Sequence, residues 1–312
     1  MKITTSPTRL VAALAVAGLV AAACGSDDGA DGADDTVTTA ATTAAAPSAA
    51  AASVTEPIDE EVLESGATVR RFEADPLTIH TFTNPISGFA NTTTVFESES
   101  VLVIVDTHFS TELAADFRAY ADALDKPIDR VLITHEHPDH VGGIPEVFGD
   151  VPTYSSSGVI AAVADAGITI TDTLEPGDVE IDGVTYRFDV VEDAEAPEQV
   201  VITLPDQKVV AIGDLVYSDV HAVMTPEFDN WIRLLDDIGS TDVELVIPGH
   251  GDPGDAGIID EMVEYLDAAR SAYAETDDAD AFAAAMVEAF PDRPGANLLE
   301  FGTGNLFPKA DA

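Results

Sequence analysis

THEHPDHVGG, Thr134–Gly143, places three histidines and two carboxylates within ten residues. The whole chain holds only seven histidines. Imidazoles crowded against acids are costly to desolvate unless something binds them together. In extended backbone, side chains two apart face the same way, so His135 and His137 can address one ion. Pro138 biases His137 toward that extended geometry. The chain must then turn, which leaves Asp139 and His140 for a second ion nearby. Gly142 and Gly143 let another stretch of backbone pass close. Neutral imidazole and carboxylate suit zinc and similar borderline ions. A pair of such ions clamps an oxyanion and lowers the pKa of a bridging water toward neutrality.

The segments around this loop read as a sheet with helices outside it. Directly before it, RVLIT (Arg130–Thr134) is a short apolar run of the buried-strand kind. Upstream, TIHTFTN and TTTVFES alternate, and VLVIVD (Val101–Asp106) is continuously apolar. Between them and the loop, Leu113, Phe117, Tyr120 and Leu124 recur at helical spacing. A short helix is expected around Val159–Ala166. Downstream, Asp182-Gly183 marks a hairpin turn, and QVVITLPDQKVVAIGD reads strand, turn, strand, ending at Asp214. Thr225-Pro226 reads as the start of a helix reaching Ile238. VELVIPGHG is another buried strand running into His250, and long helices follow. Strand runs mixed with helices, the second half echoing the first, predict sheets packed face to face with helices outside.

Composition narrows the partners. The chain has 312 residues, 46% of them hydrophobic, which suffices for a large core. Its formal net charge of −45 repels phosphate backbones and anionic membrane surfaces, so no nucleic-acid partner is expected. Lys2 and Arg9 precede an apolar run, Leu10–Ala23, that is short for a membrane span and ends at Cys24, the sole cysteine. Small residues before that cysteine resemble a bacterial lipoprotein cleavage site. The expectation is an exported protein, lipidated on Cys24 and held to the membrane on its extracytoplasmic side. The alternative is an ordinary secretory signal with an incidental cysteine. The expected organisation is a signal peptide over 1–23, a disordered Ala/Thr/Asp-rich tether over 24–65, and one domain over 66–312.

Three further candidates stand at strand ends: Asp214 in AIGD, His250 in PGHG, and an acid in VEDAEAPEQ. With these in place, THEHPDHVGG resembles the H-x-H-x-D-H signature of the metallo-β-lactamase superfamily. VLVIVDT, LPDQKVVAIGDLVY and VIPGHG resemble its other motifs, in order, over about residues 78–253. The resemblance implies an α/β fold, the four-layer αβ/βα sandwich. It implies two divalent metals, zinc foremost, with manganese or iron as alternatives. His135 and His137 would hold the first; Asp139, His140 and His250 the second; Asp214 would bridge. Where most members carry a further histidine, nineteen residues before the bridging aspartate, this chain has Glu195. The alkylsulfatase branch has a similar acid-Ala-Pro turn, which makes Glu195 the candidate third ligand, with Asp193 and Glu192 as rivals. An added carboxylate makes the site more hospitable to manganese or iron. Asp106 is expected behind the ligands, holding a ligand histidine. His221 stands between substrate contact and plain surface residue, and His80 and His108 read as ordinary.

The function these residues imply is hydrolysis of a small molecule. A metal-bridging hydroxide would attack an ester, thioester, lactone or sulfate or phosphate ester, with Asp139 handling the proton. No Lys or Arg lies in GDLVYSDVHAVM, where β-lactamases of the family hold the drug's carboxylate, which argues against penicillin. The C-terminal helices also lack the cationic cluster of a glutathione-thioester hydrolase. The alternatives are an iron-dependent redox enzyme of the same fold and a non-catalytic metal- or ligand-binding lipoprotein. Redox members use fewer ligands than are kept here.

Overall fold

The computed structural model describes residues 54–307. The expected signal peptide, Cys24 and most of the tether lie outside the described residues. Chain order begins β1 (Asp59–Val62), β2 (Thr68–Ala74), β3 (Leu77–Thr83), β4 (Thr92–Glu97), β5 (Leu102–Val105), α1 (Thr111–Asp122), β6 (Ile128–Leu132), α2 (Pro138–Val141), β7 (Thr153–Ser155), α3 (Ser157–Asp165) and β8 (Asp172–Thr173). It continues β9 (Gly177–Ile181), β10 (Val184–Glu192), β11 (Glu198–Leu204), β12 (Val209–Tyr217), α4 (Phe228–Gly239), β13 (Leu245–His250), α5 (Gly257–Glu275), α6 (Ala279–Ala289) and α7 (Ala296–Leu306).

Among the described residues these strands form two sheets. One runs β1 to β8 in sequence order; the other is ordered β13-β12-β11-β10-β9. The apolar runs show why they stack. Along β5, Val103 and Val105 enter the core between the sheets, while Leu102 and Ile104 face the core under α1. Along β12, Val209 and Ala211 join the inter-sheet core, while Val210 and Ile212 face the core under α4 and α5. A strand apolar on both faces needs a covering layer on each, and the result is helix, sheet, sheet, helix. Phe96 and Tyr186, one from each sheet, meet edge to face at 5.8 Å across the central core.

Three local expectations change. The folded part begins before residue 66: Val54 is buried in the inter-sheet core, and β1 pairs antiparallel with β2. All four β1 side chains are exposed. Its stability comes from backbone pairing and from ion pairs of Glu60 with Arg70 and Asp59 with Arg71, which hydrophobic patterning does not register. Helix α4 starts at Phe228 rather than Pro226, because the Thr225 hydroxyl donates to the Ala194 carbonyl at 2.6 Å instead of capping the helix. Helix α7 has no clear signature in the sequence pattern, yet it forms a wall beside the histidine loop. Among the described residues no helix is long and apolar enough to cross a membrane.

Candidate metal centre

The histidine loop leaves β6 at the end of the first sheet where β4, β12 and β13 also deliver their ends. β5 and β6 run parallel, and so do β12 and β13, so their C-terminal ends gather on one side. Gly142 and Gly143 pack directly on the carbonyls of Phe109 and Thr107, where any Cβ would overlap them. His135, His137, Glu195 and Asp214 form one group of convergent ligand atoms, and Asp139, His140 and His250 a second. Within each group the ligand atoms lie within 4.8 Å of one another. Asp214 reaches both: Oδ1 is 3.1 Å from His140 Nε2, and Oδ2 is 3.2 Å from His250 Nε2 and 3.6 Å from His135 Nε2. Glu195 Oε2 lies 3.3 Å from His137 Nδ1 and 3.7 Å from His135 Nε2. Glu192 and Asp193, its rivals in sequence, are exposed.

Partners behind the ligands fix which ring nitrogen is offered. Asp106 accepts the Thr134 amide at 2.8 Å on Oδ1, and the Thr134 hydroxyl and His140 Nδ1, each at 2.8 Å, on Oδ2. The Thr134 oxygen in turn accepts from His135 Nδ1 at 2.9 Å. His250 Nδ1 donates to the Phe89 carbonyl at 2.7 Å. His135, His140 and His250 therefore engage Nδ1 outward as a donor and turn Nε2 inward, while His137 presents Nδ1. Asp106 thus sits behind the histidine loop and is hydrogen-bonded to His140. Its φ of 61°, left-handed for a non-glycine, aims the carboxylate back at the loop.

The charges explain what the cluster calls for. Burial and then the Asp214 charge push Glu195 well above the usual carboxylate range. Burial opposes charge on His250, but Asp214 and Asp139 overcome it and push its pKa up to about 10. The same contest, won by Asp214, Asp106 and Asp139, raises His140 well above its ordinary value. Burial, reinforced by His135, lowers His137 to about 3. Glu195 Oε2 and Asp214 Oδ1 are buried with no hydrogen-bond donor. Three crowded carboxylates, two of them with orphaned oxygens facing inward-turned imidazole nitrogens, are a donor set that fits divalent cations.

Not every sequence candidate joins the site. His221 is buried beneath it: its Nδ1 pairs with the Tyr265 hydroxyl at 2.9 Å, and it does not line the cavity. The reason is tertiary, since the chain after β12 tucks under α5. His80 sits between Tyr120 and Glu97, away from the cluster. One residue escaped sequence reasoning. The Tyr217 hydroxyl donates to Asp214 Oδ2 at 2.7 Å, and its ring stacks on His250 at 4.6 Å. Its only signal was its place three residues after Asp214 on a strand that continues past the ligand.

A sequence profile of the metallo-beta-lactamase superfamily matches residues 86–250. A linear primary-alkylsulfatase from Pseudomonas sp. is 24% identical over 220 residues, covering 51% of this chain and 41% of the relative. The chain therefore spans less than half of that relative's length. A type 2 metallo-beta-lactamase from Bacillus cereus is 23% identical over 205 residues, covering 60% of this chain and 78% of the relative. Among solved structures, a metallo-beta-lactamase from Pseudomonas aeruginosa in its mono-zinc form superposes with a TM-score of 0.54 at 17% identity. It matches 65% of this chain and 96% of its own. The profile spans the loop, the strand ends and the closing histidine just described: the chain belongs to the metallo-beta-lactamase superfamily.

Proposed function

We propose that the protein is a binuclear metallohydrolase of the metallo-beta-lactamase superfamily acting on a small ester-type substrate: a carboxylic ester, thioester, lactone, or sulfate or phosphate ester. The observation that carries this reading is the convergence of the two ligand groups on one shared carboxylate, Asp214. His135, His137 and Glu195 would hold one cation, Asp139, His140 and His250 the other, with Asp214 between them. Bound divalent cations, zinc by analogy with the solved relative and manganese or iron by the extra carboxylate, supply Lewis acidity and acidify water. Asp139 and Asp214 both line the cavity, and against the effect of burial His140 and His250 hold the Asp139 carboxyl below the usual carboxylate range. Asp139 Oδ2 would take the proton of attacking water and return it to the leaving group. Tyr217 orients Asp214 by hydrogen bond and His250 by stacking. The alkylsulfatase relative supports an ester-type substrate, and the metallo-beta-lactamase relative supports hydrolysis without favouring an ester.

The test is elemental analysis of the purified protein beside turnover of an ester, lactone, thioester, sulfate and phosphate panel after loading with zinc, manganese or iron. Two metals per chain with hydrolysis of at least one class is the expected result. Two metals with no turnover of any class would point to a binding protein, and iron with oxygen consumption to redox chemistry. We further propose that the protein is exported and anchored through Cys24.

A further inference from the structure

The cavity above the candidate ligand cluster has a volume of about 450 Å³, within the range of small-molecule sites. Its floor is His137, Asp139, Asp214 and His250. Its walls are Phe89, Phe109, Val223, Leu298 and Phe301, and its polar wall groups, Asn297 and Asn305, are neutral. No Lys or Arg lines it. Phe109 is 51% exposed and Phe301 79% exposed, and these are the exposed phenylalanines among the described residues. Both stand on this one cavity. Scattered exposed apolar residues need no explanation, but two aromatic rings gathered on one opening mark a binding surface.

These rings are held in place by the site itself. Phe89 and Phe109 meet edge to face at 5.9 Å. Phe89 sits at a φ of 64° with its carbonyl bound to His250 Nδ1. The Phe109 carbonyl lies against Gly142 of the histidine loop. Next to Phe301, Gly302 lets α7 rest on the backbone of Val223 and Met224; a Cβ there would come within 2.7 Å of the Met224 nitrogen. The aromatic wall is thus fixed relative to the ligands by backbone contacts.

Resting on the hydrolase reading, we propose that this cavity takes an uncharged carboxylic ester, open or cyclic, whose apolar chain lies along Phe109, Phe301 and Leu298. It disfavours substrates bearing a further carboxylate or a sulfate. An anionic substituent finds no cationic side chain in the lining, and the chain's net charge of −45 opposes its approach. In the reaction a water oxygen bonds to the ester carbonyl carbon and the ester C–O bond breaks. One water proton ends on the departing alkoxide, giving an acid and an alcohol.

The experiment measures kcat/KM of the metal-loaded protein on p-nitrophenyl acetate, butyrate, hexanoate and octanoate, on the hemisuccinate, and on the sulfate. Calorimetry of butanol, hexanol, octanol and decanol binding runs in parallel. A buried methylene contributes ~0.8 kcal/mol, so kcat/KM should rise up to about fourfold per methylene until the wall is covered. Phe301→Ala and Phe109→Ala should flatten that slope and weaken decanol binding, with two metals retained. Val179→Ala, at an exposed position outside this cavity, serves as the control and should keep the slope. The hemisuccinate and sulfate should react at least tenfold more slowly than the butyrate. Ester turnover with no chain-length slope, or preference for the hemisuccinate or sulfate, overturns this proposal and leaves the hydrolase reading intact. Absent turnover with chain-dependent alkanol binding, lost in Phe301→Ala, overturns the hydrolase reading and keeps the apolar site. Absent turnover with no alkanol binding overturns both.

Discussion

Replacing Asp106 by asparagine isolates the role of the residue behind the ligands. Asparagine tolerates left-handed backbone, so the φ of 61° is preserved, and the change is one of charge and proton direction. In the native site three donors reach the carboxylate at 2.8 Å each. The side-chain amide oxygen of the variant can keep the Thr134 amide. Its NH₂ then faces His140 Nδ1 and the Thr134 hydroxyl, both of which donated before. His140 must turn acceptor at Nδ1, which moves its proton to Nε2, the atom meant for a metal. The Thr134 hydroxyl, turned the other way, would send its hydrogen to His135 Nδ1 and reverse that ring too. One substitution therefore opposes one ligand in each metal group. Loss of such a supporting partner weakens metal binding ~10–100-fold, or ~1.4–2.7 kcal/mol. The metal-free protein should also lose ~1.5–3 kcal/mol for a lost hydrogen bond to a charged acceptor. At ~2–4 °C per kcal/mol for a domain of this size, its thermal midpoint should fall by several degrees. The assays are competitive metal titration and thermal unfolding with and without metal. If Asp106→Asn binds both metals with native affinity, the tautomer argument is refuted.

On the proposed two-metal site, Glu195→Gln should lower metal stoichiometry after dialysis from two toward one, because Asp139, His140, His250 and Asp214 would still hold the other ion; two tightly held metals would make Glu195 a bystander. His108, wholly buried, has its pKa lowered to about 3 by burial and by the nearby His140 charge. Its contribution to stability is therefore complete above about pH 6.5 and fades as pH falls from there toward 3, by ~2 kcal/mol at pH 5. Ring NMR signals of His108 that titrate near pH 6.5 would contradict this. Gly302→Val should cost ~1–3 kcal/mol by pressing a side chain into the backbone of Val223 and Met224, measured as a urea midpoint shift with metal content unchanged. On the proposal of a lipid anchor at Cys24, Cys24→Ala should move the protein from the membrane to the soluble fraction; retention of the variant would refute the lipoprotein reading.

The sequence alone determined the features that repeat locally. The spacing of His135, His137, Asp139 and His140 is set by adjacent backbone, so their pairing was readable from the pleat and the turn after Pro138. The apolar runs at residues 101–106 and 130–134 were readable as buried strands because alternate residues meet one core and their neighbours the other. Glu195 could be found by its distance in sequence from Asp214, although its choice over Asp193 needed the structure, which buries one and exposes the other. Edge strand β1 was invisible because its stabilisation lies in backbone hydrogen bonds and surface ion pairs. The rest was decided by contacts between residues far apart in the chain. Phe89 fixes the tautomer of His250 from 161 residues away. Tyr217 meets Asp214 and His250 only because β12 continues beyond its ligand while lying parallel to β13. Helix α7 becomes a cavity wall only through the close seat that Gly302 gives it on the chain after β12. Local spacing fixes which atoms can share an ion, but the walls around that ion are made where separate strand ends and a distant helix converge. That convergence is a property of packing, which no short stretch of sequence carries.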